Sequence, residues 1–343
     1  MRREAANAVS RASLFLDTLS MQHLQPCYGL VARVSLLKSS RTSSLNSCRC
    51  FSSSRCHHDL TLFTRRLFKL PSAPAPPSQN HNSLSTFLSY AERVSLPSTS
   101  TVYVGTHYEY TVLQSLRRYA LALHRIGGRD DAGIDLVGTW HLPERQRERA
   151  LRVLVQCKAL KNKLGPNLVR ELEGTFRQAP VGWRTGQTVG MLVSPREATK
   201  GVRDALARSR YPLFWMMVER DGTLKQALWN ARAQELGLDL LGVETRYEAA
   251  TVSADNESES LSKEVALTWD GSDIPDMSQV EQILLRAEEE WAASWKVDLP
   301  ATEKGSLLDA IEKTFHNGQP EQASDGAMSE AHRTRVLQAL RER

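Results

Sequence analysis

Two apolar segments that carry polar residues where buried strands would hold them constrain the fold more than any other part of the chain. The first is Gly133-Ile134-Asp135-Leu136-Val137-Gly138 and the second is Val155-Gln156-Cys157-Lys158. Both are too apolar on either side to be solvent loops, so period-2 alternation governs where their side chains go. It sends Asp135, Val137 and Thr139 to one face of the first strand, and Leu154, Gln156, Lys158 and Leu160 to one face of the second. A hairpin closed by the polar stretch His141 to Ala150 then brings Asp135, Gln156 and Lys158 onto one surface of one sheet. A lysine is seldom buried without a counter-charge, and Asp135 supplies one.

A core ion pair with a hydrogen-bonded glutamine satisfies those three residues taken alone. Gly105-Thr106-His107-Tyr108-Glu109 adds a fourth polar group, opening a run to Leu123 in which Val112, Leu113, Leu116, Ala120 and Leu123 recur at helical spacing. At about 100° per residue Glu109 falls inside this stripe, while Gln114, Arg118 and Arg125 lie opposite. A carboxylate on a packing face needs a partner. Acidic ligands converging with a lysine alongside describe a Mg²⁺ site for phosphodiester hydrolysis better than they describe a core ion pair.

Four ordered blocks carry a family resemblance. They are Gly105-x-x-Tyr108-Glu109, Gly127-Gly128-x-Asp130-Asp131-x-Gly133-Ile134-Asp135-Leu136, Val155-Gln156-Cys157-Lys158, and Val169-Arg170-Glu171-Leu172-x-Gly174. Over roughly Gly105 to Val218 the chain resembles the Mrr-type branch of the PD-(D/E)xK restriction-endonuclease superfamily. With its leader, it looks most like fungal mitochondrial proteins required for respiratory growth that carry such a domain. The resemblance implies an α/β fold, a mixed central sheet flanked by helices in α-β-β-β-α-β order. It implies Mg²⁺ or Mn²⁺ as cofactor and DNA as substrate, with RNA as an alternative. Asp135 matches the metal ligand of the Gly-Ile-Asp run, and Lys158 the lysine that orients the attacking water and offsets charge on the phosphorane. Glu109 matches an accessory ligand, and the carbonyl of Cys157 a further oxygen donor. Gln156 stands where the wider superfamily usually has an acid, a substitution seen in the Mrr-like branch; its amide oxygen coordinates a hard cation but brings no charge. Asp131 is read as a turn residue or a group behind the ligands.

Charge is segregated along the chain. Residues 1–100 carry a net +8, residues 101–250 +7 and residues 251–343 −10. The middle segment is therefore basic in its own right, as a phosphate-binding domain requires. Lys161, Lys163 and Arg170 follow the second strand, where a phosphate backbone entering the site would pass, and are expected to contact it. Arg145, Arg147 and Arg149 form a weaker group, interleaved with Glu144 and Glu148.

Residues 1–51 have the Arg-rich, Ser-rich, acid-poor composition of a mitochondrial transit peptide, with a matrix-protease-like site ending at Phe51. Residues 52–100 read as a flexible Pro/Ser-rich linker with one short helix near Phe87 to Arg93, residues 101–250 as the endonuclease-like domain, and residues 251–343 as an acidic, helical and partly disordered extension. No membrane span is expected, because polar residues interrupt Leu14 to Leu37. Cys27, Cys48 and Cys50 lie before the expected cut and Cys56 just after it, leaving Cys157 as the core cysteine. Further along, Asn167 to Arg177 predicts a helix, Thr188 to Val193 and Pro212 to Val218 predict strands, and Ser194-Pro-Arg-Glu197 predicts a capping box. Beyond these lie short strands at Glu244 to Tyr247 and Val265 to Trp269, a helix marked by Val280, Leu284, Ala287, Trp291 and Trp295, and a terminal helix from Ser329. The reading is a Mg²⁺-dependent nuclease of the mitochondrial matrix. A catalytically silent nucleic-acid-binding factor is the first alternative, and a scaffold using Trp291 and Trp295 as a partner surface is the second.

Overall fold

The computed structural model describes residues 60–128, 133–143, 150–249, 261–295, 301–316 and 330–341. The expected transit peptide, the four leading cysteines, Asp131, Arg145, Arg147 and Arg149 lie outside these residues.

Three helices come first: α1 (Leu62–Leu67), α2 (Leu84–Arg93) and α3 (Thr101–Leu116). Strands β1 (Leu121–Arg125), β2 (Leu136–Trp140) and β3 (Leu151–Cys157) follow, then α4 (Asn167–Gln178), β4 (Thr188–Ser194), α5 (Lys200–Arg208), β5 (Leu213–Val218), β6 (Leu224–Trp229) and α6 (Ala231–Gln234). Strands β7 (Leu241–Ala249), β8 (Leu261–Trp269) and β9 (Ser272–Asp273) precede α7 (Met277–Ser294), α8 (Ala301–His316) and α9 (Glu330–Arg341). From α3 to β4 the order is α-β-β-β-α-β, as the resemblance implies.

Strands β1 to β6 form one mixed sheet in sequential order. The hairpin of β2 and β3 is antiparallel, with Leu136 opposite Val155, while β3–β4 and β4–β5 are parallel. Every residue of β4 is buried, the mark of a central strand covered on both faces. Val189, Met191 and Val193 of β4 pack with Tyr108, Val112 and Leu116 of α3, whereas Leu192 packs with Leu168 and Leu172 of α4 and Val202 and Leu206 of α5. Alternation along one strand thus feeds two cores, and the layers are helix, sheet, helix. Tyr108 ties α3 to the sheet through a 2.8 Å bond from its hydroxyl to the carbonyl of Val218. Burial, the largest influence, raises the pKa of that phenol and keeps it a donor.

The structure departs from the sequence reading in four places. The helical run expected to reach Leu123 stops at Leu116; a 3₁₀ turn follows, Ala120 takes a left-handed φ of 61°, and residues 121–125 become β1. Residues 60–100 are not a free tether. Phe87 is 1% exposed against Tyr103 and Tyr110, Arg65 bonds the carbonyl of Pro71 and the His124 ring, and Arg152 bonds the carbonyl of Lys69 at 2.7 Å. The domain does not end at residue 250, because Val265, Leu267, Trp269, Ile274 and Val280 join the same buried cluster as Leu116, Val218 and Leu224, and Tyr119 Oη bonds the Val265 carbonyl at 3.3 Å. Ser194 caps no helix. Its Oγ accepts from Arg196 N in a tight turn, and Thr199, bonded also to the Leu164 carbonyl, caps α5 instead.

Contact clustering divides the chain into His57–Glu288 and a second unit containing Glu289–Arg343. In the second, Trp295 is buried with Leu307, Ala310, Ile311 and Val336. The side chain of Trp295 is therefore committed to that small core, and of the two tryptophans named for the scaffold alternative Trp291 is the partly buried one.

One consequence for stability follows from His141, whose Nε2 lies 2.9 Å from Thr139 Oγ1. Burial first, then the charges of Arg152 and Arg65, pull its pKa down to about 4 from 6.5. The unfolded chain therefore binds the proton more readily than the folded one. The contribution of His141 is complete above pH 6.5 and is lost as pH falls from there through about 4. Urea unfolding of wild type and His141→Gln across pH 7 to 4 should show the wild-type advantage shrinking with acid; a constant difference would refute the linkage.

Candidate functional site

The local structure explains how the polar residues reach one end of the sheet. Asp135 sits immediately before β2, its N–H bonded to the Val155 carbonyl at 2.9 Å and its own carbonyl accepting from Ile126 N and Gly127 N at 2.9 and 2.8 Å. Three backbone bonds fix this residue before its side chain makes any. Its carboxylate then turns across the hairpin, where Oδ2 accepts from Cys157 N–H at 2.6 Å. That places the carboxylate beside the peptide joining Gln156 and Cys157, next to Lys158.

Gln156 is 2% exposed. Its Oε1 makes no hydrogen bond, and it is the single acceptor among the buried side-chain polar atoms left without a partner in the described residues; the others are nitrogens of Trp215, Trp269 and Arg333. Leaving a buried acceptor unmet costs about 1–3 kcal/mol, so the arrangement is stable only if something else satisfies the oxygen or the fold absorbs that cost. Gly133, with φ at 78°, lets the chain turn directly over this amide: a Cβ there would stand 3.1 Å from Gln156 Nε2.

Glu109 reaches the same corner from α3. A Cβ on Gly127 would lie 3.2 Å from Glu109 Oε2 and 3.2 Å from Asp135 Cα, so one small empty position borders both acids. Glu109 also accepts from Arg125 Nε at 2.5 Å, both side chains being about one-eighth exposed. Arg125 in turn lies 5.6 Å over the Tyr110 ring, and Tyr110 bonds His81. Sequence reading placed Arg125 on the far side of a helix and missed it. The period-2 placing of Leu121, Leu123 and Arg125, with Ala122 and His124 between them, was the signal for a strand that would bring it to the site.

Lys158 follows β3, with its N–H bonded to the Val193 carbonyl at 2.8 Å and its Nζ 3.5 Å from Glu171 Oε2 on α4. Lys158 is about one-quarter exposed and Glu171 about one-half, so solvent screens the pair and the amine is reachable. Glu171 was part of the family blocks but carried no expected role. Cys157 packs on the opposite, α3 side of the sheet. Burial pushes its thiol pKa up, and the charges of Asp135 and Glu109 act in the same direction against Lys158 and Arg125. Lys161 and Lys163 are exposed in the segment joining β3 to α4, and Arg170 is exposed on α4 one position before Glu171.

Asp135 bonds the Cys157 N–H and borders the position beside Glu109, while the Gln156 amide oxygen and the Cys157 carbonyl are oxygen donors of the type a small hard cation takes. Among the described residues no group of three or more His, Cys, Asp or Glu side chains could hold a metal, so a site here depends on the amide and backbone oxygens. No described helix is long and apolar enough to cross a membrane.

Comparison with known proteins adds an independent finding. Residues 100–150 and 144–247 match the family model described as Required for respiratory growth protein 7. A mitochondrial protein of Schizosaccharomyces pombe, named as uncharacterized, is 35% identical over 167 residues, covering 48% of this chain and 65% of the relative. The mitochondrial Required for respiratory growth protein 7 of Saccharomyces cerevisiae is 29% identical over 170 residues, 38% of this chain and 70% of the relative. Its namesake in Vanderwaltozyma polyspora is 27% identical over 236 residues, 53% of this chain and 92% of the relative. The match to the fission-yeast relative therefore spans just under two-thirds of that protein's length. No solved structure matches.

Proposed function

Taking as premise that the family model and these relatives support the fungal Required for respiratory growth protein 7 family, whose members are named mitochondrial, we propose that this chain is a divalent-ion-dependent nuclease of the mitochondrial matrix acting on DNA. The observation that carries the reading is the buried, unpartnered oxygen of Gln156 on the strand end whose next N–H, that of Cys157, is held by the Asp135 carboxylate. Its support is the α-β-β-β-α-β order, which sets those residues at adjacent strand ends.

Mg²⁺ or Mn²⁺ held by Asp135, Gln156 and the Cys157 carbonyl would supply Lewis-acid polarisation of a phosphoryl oxygen. Lys158 would orient the attacking water and offset charge on the phosphorane. Glu171 holds the amine near the strand end without burying it. Glu109 borders the same corner, with its charge offset by Arg125. Lys161, Lys163 and Arg170 would meet the phosphate backbone as non-specific contacts, giving affinity that falls with salt.

A second reading, binding without hydrolysis, is favoured by one feature: Glu109 already has a cationic partner in Arg125, and Gln156 brings no charge. Incubating the full-length chain with supercoiled plasmid, with and without Mg²⁺ or Mn²⁺, separates the two. Nicked or linear product that requires the ion and disappears in Lys158→Ala supports hydrolysis. Intact DNA under every condition overturns the nuclease, and retardation of that DNA in a gel by the same protein then supports the binding factor.

A further inference from the structure

Strand β7 is nine residues long and forms one edge of its three-stranded sheet, with β8 paired along one side. Among the described residues no strand pairs with the other side. Protein sheets usually blunt such an edge with a proline, charged side chains (lysine above all), a bulge or a very short strand; β7 has charges of both signs at Glu244, Arg246 and Glu248 but none of the other devices. The run Leu241–Ala249 contains neither proline nor lysine, and it pairs with β8 without a break from Leu241 opposite Trp269 to Ala249 opposite Leu261. Its solvent face carries apolar side chains: Val243 is 42% exposed and Tyr247 is 63% exposed. An open edge of this length with an apolar face is a template for another strand.

The sequence of the edge says which strand fits. Written about Thr245, Leu-Gly-Val-Glu-Thr-Arg-Tyr-Glu-Ala is complementary to itself when run in the opposite direction. Antiparallel pairing on a two-fold axis at Thr245 puts Val243 opposite Tyr247 of the second copy, a β-branched residue against an aromatic. It puts Thr245 opposite Thr245, and Glu244 opposite Arg246, twice over. Each is a favourable cross-strand pair. Moving the axis by one residue destroys the match. About Arg246, arginine faces arginine and Glu244 faces Glu248; about Glu244, glutamate faces glutamate. Like charges directly opposite are destabilising, so the pattern selects one register.

We propose that β7 is a self-association edge through which two copies of this chain form an isologous dimer by antiparallel pairing about Thr245. In one chain Arg246 bonds Glu244 at 3.1 Å and also Asp273 of β9, on the far side of β8, while Arg246 and Glu244 remain about 40% exposed; pairing gives each arginine a second glutamate, that of the other copy, on the open side. The inference draws nothing from the metal site and stands or falls separately from the nuclease reading.

Sedimentation velocity on the full-length chain over a concentration series tests it. Wild type should pass from monomer to dimer. Glu244→Arg and Arg246→Glu should each weaken self-association about tenfold or more, because every facing charge pair becomes repulsive. Mixed in equal amounts, they should form a heterodimer as tight as the wild-type dimer, since both cross-strand pairs are then opposite in sign. Restoration on mixing also shows that both variants fold. Tyr247→Lys, at an exposed position, should weaken the dimer without lowering the melting temperature. A wild-type chain that stays monomeric throughout would overturn the proposal. So would charge variants that dimerise singly as well as wild type, or a mixture no tighter than its components.

Discussion

Asp135→Asn is expected to lower divalent-ion-dependent DNA cleavage by about a thousandfold while leaving the fold intact. A unit charge pair 4 Å apart is worth roughly 4 kcal/mol at an effective dielectric near 20. Each 1.36 kcal/mol is tenfold in rate, so losing that interaction removes about three decades. Asparagine keeps the shape, and its carbonyl oxygen can still accept from Cys157 N–H as Oδ2 does at 2.6 Å. The backbone bonds of residue 135 to Val155, Ile126 and Gly127 do not involve the side chain. Thermal unfolding should therefore move little while cleavage collapses. Equal cleavage by the two proteins would remove Asp135 from the chemistry. Loss of cleavage together with loss of folded protein would instead give the residue a structural role.

The largest effect on stability is expected at Gly138, at the centre of β2. A Cβ there would stand 2.0 Å from the carbonyl oxygen of Ala122 and 2.9 Å from Leu123 Cα, both on β1. The obstacle is backbone in a paired strand, so no rotamer change relieves it, and Leu123 is the register partner of Gly138 itself. Gly138 also accepts from Trp183 Nε1 at 2.8 Å, which resists any shift of β2 in compensation. Gly138→Ala should cost about 3 kcal/mol or more, at the top of the range for overpacking. Gly174 is the contrast. It lies in α4 with nothing within 4 Å of a Cβ, so Gly174→Ala should stabilise by about 0.5–1 kcal/mol. Chemical denaturation of the two variants beside wild type measures both, and similar midpoints for the pair would contradict this packing account. Because β1 also carries Arg125, the Gly138 variant should disturb the Glu109 ion pair as well.

The hairpin of β2 and β3, α4, β4 and β5 were legible because each has one period and one destination for its apolar residues. The strand β1 was not. Leu116, Ala120 and Leu123 keep helical spacing across a real break, and the break is made by Ala120 in a left-handed conformation, which has no glycine to announce it. Missing β1 meant missing Arg125, and with it the ion pair that occupies Glu109. Residues 60–100 were misread for a different reason. Their Pro/Ser composition is that of a tether, and the burial of Phe87 and Arg65 depends on Tyr110 and His124, which lie far along the chain. The alternation in Val265, Leu267 and Trp269 showed a strand, but its joining the main core is a tertiary fact. Of the candidate site, the chain order showed Asp135, Gln156 and Lys158 together. That the Gln156 oxygen has no protein partner could be learned only from the fold.

That oxygen is also where the central claim is most directly tested. Titrating Mn²⁺ into the full-length chain, with free ion followed by electron paramagnetic resonance, reads binding without depending on catalysis. The account expects saturable binding by wild type, tighter binding by Gln156→Glu, and binding weakened about tenfold or more by Gln156→Leu, since even groups behind metal ligands typically matter to that extent. Equal affinity in all three proteins, or no binding by wild type, would contradict it.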